Sequence, residues 1–226
     1  MRLPFLLTCL TLAGPWNVFA QDVRLQLNPV QTGVELDGTL EPEEWQPAQS
    51  VTLQHGTRLL IQQSGSRLFI GIKAQDGFSI GNIFIRRGDQ IWNLHASAAM
   101  GTIRFAASGD GWQVEEQSGW SGRGANLAEV ESDFEASFQQ YGWAGTNARL
   151  GASGEREFAL KLDHFLPRGE GELRLVITHI HLDPERIESW PQPDDSTIDP
   201  QVLKGYFPEQ LSFNESGWGV LVLGDR

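Results

Sequence analysis

Arg67-Leu68-Phe69-Ile70-Gly71-Ile72-Lys73-Ala74 alternates its side chains at period two, so Leu68, Ile70 and Ile72 fall on one face of an extended segment. The pattern returns at 156–163, where Phe158, Leu160 and Leu162 share a face. Each such apolar face needs a second sheet to cover it. Elsewhere in the chain the same reading predicts strands over 57–63, 80–87, 90–97, 102–106, 112–117, 134–140, 173–182 and 218–223, roughly ten in all. Residues 220–223 are apolar on both faces, which predicts a central strand rather than an edge. Helix signals are confined to Pro42-Glu43-Glu44, where proline and acids suit a first turn before Trp45, and to a single turn over 163–166. The expected fold class is all-β: a single antiparallel β-sandwich of about ten strands with one or two short helical turns.

Composition agrees with one globular domain. The chain has 226 residues, 40% of them hydrophobic and 20% charged, enough to bury a core and too apolar for disorder. Lys and Arg number 17 against 29 Asp and Glu, a formal charge of -12. A phosphate backbone is repelled by such a surface, so nucleic acid is excluded as a partner. The first residues combine Arg2, an apolar run over 3–13, the helix breakers Gly14-Pro15 and the small-residue site Val18-Phe19-Ala20. That is the pattern of a signal peptide cleaved after Ala20, too short to span a bilayer, and Cys9, the one cysteine, leaves with it. The expected organisation is a signal peptide over 1–20, a lead-in over 21–33 and the sandwich over 34–226. The mature protein is expected in the periplasm or outside the cell, without membrane insertion.

The segment Val34-Glu35-Leu36-Asp37-Gly38-Thr39-Leu40, followed by Glu44-Trp45 and Pro47-Ala48, resembles the opening of family 9 carbohydrate-binding modules. Residues 67–72 with Asp76, Asn82-Ile83-Phe84-Ile85, residues 157–165, Ser189-Trp190-Pro191 and residues 217–222 resemble later strands and turns of that family in the same order. The resemblance implies a jelly-roll-like, DOMON-like sandwich and a non-catalytic, carbohydrate-binding role with a glycan or polysaccharide as partner. It also implies that Trp190 is one of two aromatic walls around a sugar, with Phe78 in the place of the other. Asn82 stands where the family pattern leads to a glutamate, and Asn93 or His95 where it leads to a basic side chain.

The chemistry of a sugar explains these choices, because its C–H face needs an aromatic plane and its hydroxyl edge needs polar groups that replace water. Trp45, Trp92 and Trp218 lie in strong strand or helix patterns and are expected in the core. Trp112, Trp120, Trp143 and Trp190 adjoin Gly, Ser or Pro and are expected in loops. His179 and His181, two apart on a strand, share a face on which a metal is geometrically feasible, but no third ligand is assignable. No cofactor is expected; calcium on Asp194, Asp195 and Asp199 is the alternative considered. The sequence holds no Gly-x-Ser-x-Gly elbow, His-Glu-x-x-His helix or phosphate loop, so no enzyme is expected. The rival reading is an envelope scaffold domain that keeps the sandwich, lacks the sugar site and binds a protein partner.

Overall fold

Alternation at period two becomes strand across most of the computed structural model, which describes residues 23–74, 79–97, 99–120, 127–146, 154–167, 169–182, 185–192, 198–203 and 205–225. The chain begins with β1 (Arg24–Gln26), the single-turn α1 (Pro42–Trp45), β2 (Gln49–Thr52), β3 (Arg58–Ser64) and β4 (Arg67–Lys73). Four long strands follow: β5 (Ser79–Arg87), β6 (Gln90–Ala96), β7 (Met100–Ser108) and β8 (Gly111–Trp120). Next come α2 (Leu127–Tyr141), β9 (Trp143–Gly145), β10 (Glu155–Lys161), the short α3 (Leu162–Phe165), β11 (Glu172–Leu182) and β12 (Glu185–Trp190). The chain closes with α4 (Pro200–Leu203) and β13 (Gly219–Val222).

The strands form two sheets. One has the order β1-β13-β11-β5-β6-β7-β8, and β12 pairs with β11; the other has the order β2-β3-β4-β10-β9. Pairings are antiparallel except that β1 lies parallel to β13. The β11 edge is shared, with β13 along Glu172–Leu175 and β12 along Ile177–Leu182. The all-β sandwich expected from the sequence is therefore the fold, and β13 is interior to its sheet as the apolar run 220–223 predicts.

Leu68, Ile70 and Ile72 of β4 meet Phe158 and Leu160 of β10 and, from the opposite sheet, Ile83, Ile85, Leu94, Leu175 and Ile177. Each such side chain contributes about 1.5–3 kcal/mol relative to exposure. The outer faces are covered as well. Leu40, Trp45 and Phe138 lie over Leu60, Phe69 and Ala159 of the smaller sheet. Ile198, Val202, Leu203, Leu211 and Phe213 cover Phe84, Ile91, Ile103 and Phe105 of the larger one.

Three expectations need correction. Residues 134–140 are the end of the 15-residue α2, not a strand. Leu127, Val130, Phe134 and Phe138 recur at intervals of three and four, the helical period, and Gly142, at φ 73°, turns the chain into β9. Phe138 docks between the cations of Arg67 and Lys161, 5.0 and 4.8 Å from its ring centre. Second, Trp112, Trp143 and Trp190 are buried in strands rather than displayed on loops; the side chain of Trp120 lies outside the described residues. Trp45, Trp92 and Trp218 are in the core as expected. Third, within the lead-in, Arg24–Gln26 is a strand of the larger sheet, and Leu27 is buried in the core.

The Leu36-Asp37-Gly38-Thr39-Leu40 segment is fixed by two carboxylates of β10. Glu157 Oε2 accepts the backbone N–H groups of Asp37 (3.0 Å) and Gly38 (2.7 Å), and Glu155 Oε2 accepts that of Leu40 (2.8 Å). Burial pushes the Glu157 carboxyl up to about 8, with the charges of Asp37 and Glu44 adding to it and the two N–H bonds opposing.

Candidate functional site

Trp190 is 6% exposed, inside the main core. It pairs with Ile177 on the face of the larger sheet that looks toward the smaller one. A methyl group on Gly219 would lie 2.7 Å from its ring, so β13 packs directly against the indole. The expectation of an open stacking face at Trp190 is thus corrected: the register of β12 on β11 turns the ring inward. Phe78 lies outside the described residues, as do Trp190's acidic neighbours in sequence, Asp194 and Asp195.

Asn82, Asn93 and His95 do come together, on the opposite face of that sheet. Asn82 and His95 are cross-strand neighbours on β5 and β6, and Asn93 lies two residues from His95 on the same face. The Asn82 amide donates to Thr178 Oγ1 (3.2 Å), and its carbonyl oxygen lies 2.9 Å from His95 Nδ1, which is therefore the donor. His95 Nε2 sits 3.0 Å from the Ser97 hydroxyl. Burial holds the imidazole below its ordinary range. Asn82 and Asn93 are each 1% exposed; Asn82 and His95 serve one another, the Asn93 side-chain oxygen is buried without a partner, and the sheet itself separates all three from Trp190.

The other polar candidates are also structural. His179 and His181 share a face as alternation requires, their ring centres 4.5 Å apart. They sit between the sheets, where His181 Nε2 meets Glu188 Oε1 at 2.6 Å. The same carboxylate accepts Thr57 Oγ1 (2.8 Å) and the His55 N–H (2.8 Å), which clasps the β2–β3 turn to β12. Burial pushes the Glu188 carboxyl up, but the hydrogen bonds from His181, His55 and Thr57 outweigh it and hold the group below its ordinary value. Among the described residues no group of three or more His, Cys, Asp or Glu is arranged to hold a metal ion. Asp199 Oδ1 accepts the Gln201 N–H (2.8 Å) at the start of α4, a capping contact.

An open cleft of about 680 Å³ lies elsewhere, between edge strand β8 and the segment 207–210. Ser108, Gln113, Val114 and Gln117 form one wall, and Phe207, Pro208, Glu209 and Gln210 the other. Backbone bonds in both directions between Trp112 and Leu211, each 2.9 Å, pin the second wall to the first. The half-buried Phe207 ring rests on Phe105, centres 6.0 Å apart. Tyr206, the preceding residue, is 68% exposed. The three glutamine amides each donate and accept, and the lining contains one carboxylate and no cation.

A β-bulge shapes this wall. Arg104 opposes Glu116 while Phe105 opposes Val114, so Glu115 is the extra residue. Val114 and Gln117 then share the outer face with Phe105 and Ile103, and Glu116 and Ser118 turn to the inner one. The strand over 112–117 is legible from alternation, but the bulge is not, and Phe207-Pro208-Glu209-Gln210 carries no periodic signal that assigns it to β8. Exposed glutamines in a strand next to a turn-rich aromatic segment are the only clue.

Comparison with known proteins places the fold. No family model and no curated protein matches the chain. Among solved structures, a proposed carbohydrate-binding protein from Bacteroides uniformis ATCC 8492 superposes with a TM-score of 0.52 at 10% identity, covering 90% of this chain and 100% of that one. At that identity the likeness is one of fold.

Proposed function

We propose that this chain is an exported carbohydrate-binding protein without catalytic activity, and that it holds a neutral glycan in the cleft between β8 and residues 207–210. The observation that carries the reading is the company of Phe207: an aromatic ring braced from below and flanked by Gln113, Gln117 and Gln210 in an open trench. A sugar ring needs such a plane for its C–H face and neutral donors and acceptors for its hydroxyls. Glu209, the one charge of the lining, disfavours uronates and sulfated chains. The fold shared with the Bacteroides protein, and the resemblance of residues 34–48 to family 9 modules, support the same class of ligand. Binding at β8 replaces the Trp190-centred site that the resemblance implies.

A panel of neutral, amino and acidic polysaccharides tests the reading by affinity electrophoresis. Neutral chains should retard the protein, and Phe207→Ala and Gln117→Ala should each weaken retention by about 1–3 kcal/mol, roughly five- to 150-fold in affinity. Gln117 is exposed, so its substitution should leave stability within about 0.5 kcal/mol. Absence of retention by every polysaccharide would sink the proposal and leave the envelope scaffold reading, which the inward-facing Trp190 and the mutually bonded Asn82 and His95 favour.

A further inference from the structure

The inner side of β8 carries a second feature that the glycan reading does not use. Trp92, Arg104 and Glu116 lie in register across β6, β7 and β8, and Thr102 and Ser118 form part of the next row. The last turn of α2 roofs these rows with Gln140 and Tyr141, enclosing about 100 Å³. The roof is held in place from both sides: Ser137 Oγ donates to the Trp143 carbonyl (2.8 Å), and the Trp143 indole donates to Thr102 Oγ1 (2.8 Å).

We propose that this pocket binds a small neutral polyol, about the size of a three-carbon triol. At ~30 Å³ per water the space holds about three water-sized groups. Its walls supply matched hydroxyl chemistry. Ser118 Oγ is shut off from solvent and has no hydrogen-bond partner. Thr102 accepts the indole N–H and keeps its own O–H to give. Tyr141 and Gln140 belong to the same lining. Net charge is unwelcome there. Arg104 of the lining is already matched by Glu115 (Nε, 2.9 Å) and Glu116 (Nη2, 2.9 Å), so neither an anion nor a cation finds an unmatched partner in these walls. A neutral ligand with neighbouring hydroxyls satisfies Ser118 without disturbing the ion pairs, and the bulge at Glu115 is what turns Glu116 and Ser118 toward it.

Titration of the full chain with glycerol, read on the indole N–H resonances of Trp92 and Trp143, tests the site. Saturable shifts in the millimolar range are expected. Ser118→Ala and Tyr141→Phe should each weaken the binding at least about fivefold. Gln117→Ala, in the glycan cleft, should leave it unchanged, so this pocket and that cleft fail independently. Sodium acetate and methylammonium chloride should produce no saturable shift. A glycerol response that rises linearly, an undiminished response in a folded Ser118→Ala or Tyr141→Phe protein, or acetate binding as tight as glycerol overturns the proposal. If neither variant folds, the comparison of glycerol with acetate on the unaltered chain decides alone.

Discussion

Glu157 shows how a single side chain sets both a motif and a pH response. Its Oε2 takes two backbone N–H groups of the Asp37-Gly38 turn, while its Oε1 is buried without a partner. A carboxyl pushed up to about 8, against an ordinary value near 4.5, is bound to its proton more firmly in the folded chain than in the unfolded one. Stability should therefore fall as pH rises from about 4.5 to about 8 and level off above, the opposite of a salt-bridged acid. Glu157→Gln keeps an oxygen for both N–H groups and removes the titration. Urea unfolding should show the variant more stable than the parent at pH 9, by up to a few kcal/mol, with the gap closing toward pH 5. A gap independent of pH would mean that the carboxyl is ionised without penalty. The motif was legible as a string of letters, but its cause lies on a strand more than a hundred residues away, which no local pattern records. Trp190 fails to be legible for a related reason. Its neighbours Ser189 and Pro191 look like a loop, yet the pairing of Trp190 with Ile177 decides which way the ring points.

At the scale of elements, β8 is the informative case. One extra residue at Glu115 reverses the alternation partway along the strand, so its two halves show different faces to the same side. Deleting Glu115 should leave a regular ladder, with Gln117 still opposite Ile103 and Ser118 still opposite Thr102, while Arg104 keeps Glu116 and loses its second carboxylate. Glycan retention and glycerol binding should both survive, with a change in stability of about 1 kcal/mol or less by urea titration, the worth of a partly exposed ion pair. Loss of either activity in a folded deletion variant would show that the facing of Gln117 and Ser118 is not what places these groups. The helix α2 was readable in principle: Leu127, Val130, Phe134 and Phe138 carry the helical spacing along the sequence. A window limited to 134–140 holds too few turns to separate a period of 3.6 from one of 2, and the segment is read as strand for that reason.

For the molecule as a whole, the two ends of the described chain are neighbours: β1 pairs along β13, and Arg24 forms an ion pair with Glu172 of β11. The sequence suggests a sandwich that begins at residue 34, yet β1 shields the β13 edge and Leu27 fills the core. A chain starting at residue 34 should unfold at lower urea than one starting at residue 21 and should self-associate on size exclusion, because the exposed edge of β13 is apolar on both faces. Identical midpoints and a monomeric profile would show the lead-in to be dispensable. The sequence by itself determined the class of fold, most of the strands and the core residues Leu68, Ile70, Ile72, Phe158 and Leu160, because alternation with burial is a local property of an extended chain. Tertiary structure alone decided which aromatic rings are covered, that Asn82 and His95 bond to each other, and that β8 joins residues 207–210 in a cleft. Those facts depend on register and on contacts between segments distant in the chain, and a one-residue change in pairing sends a side chain to the other face.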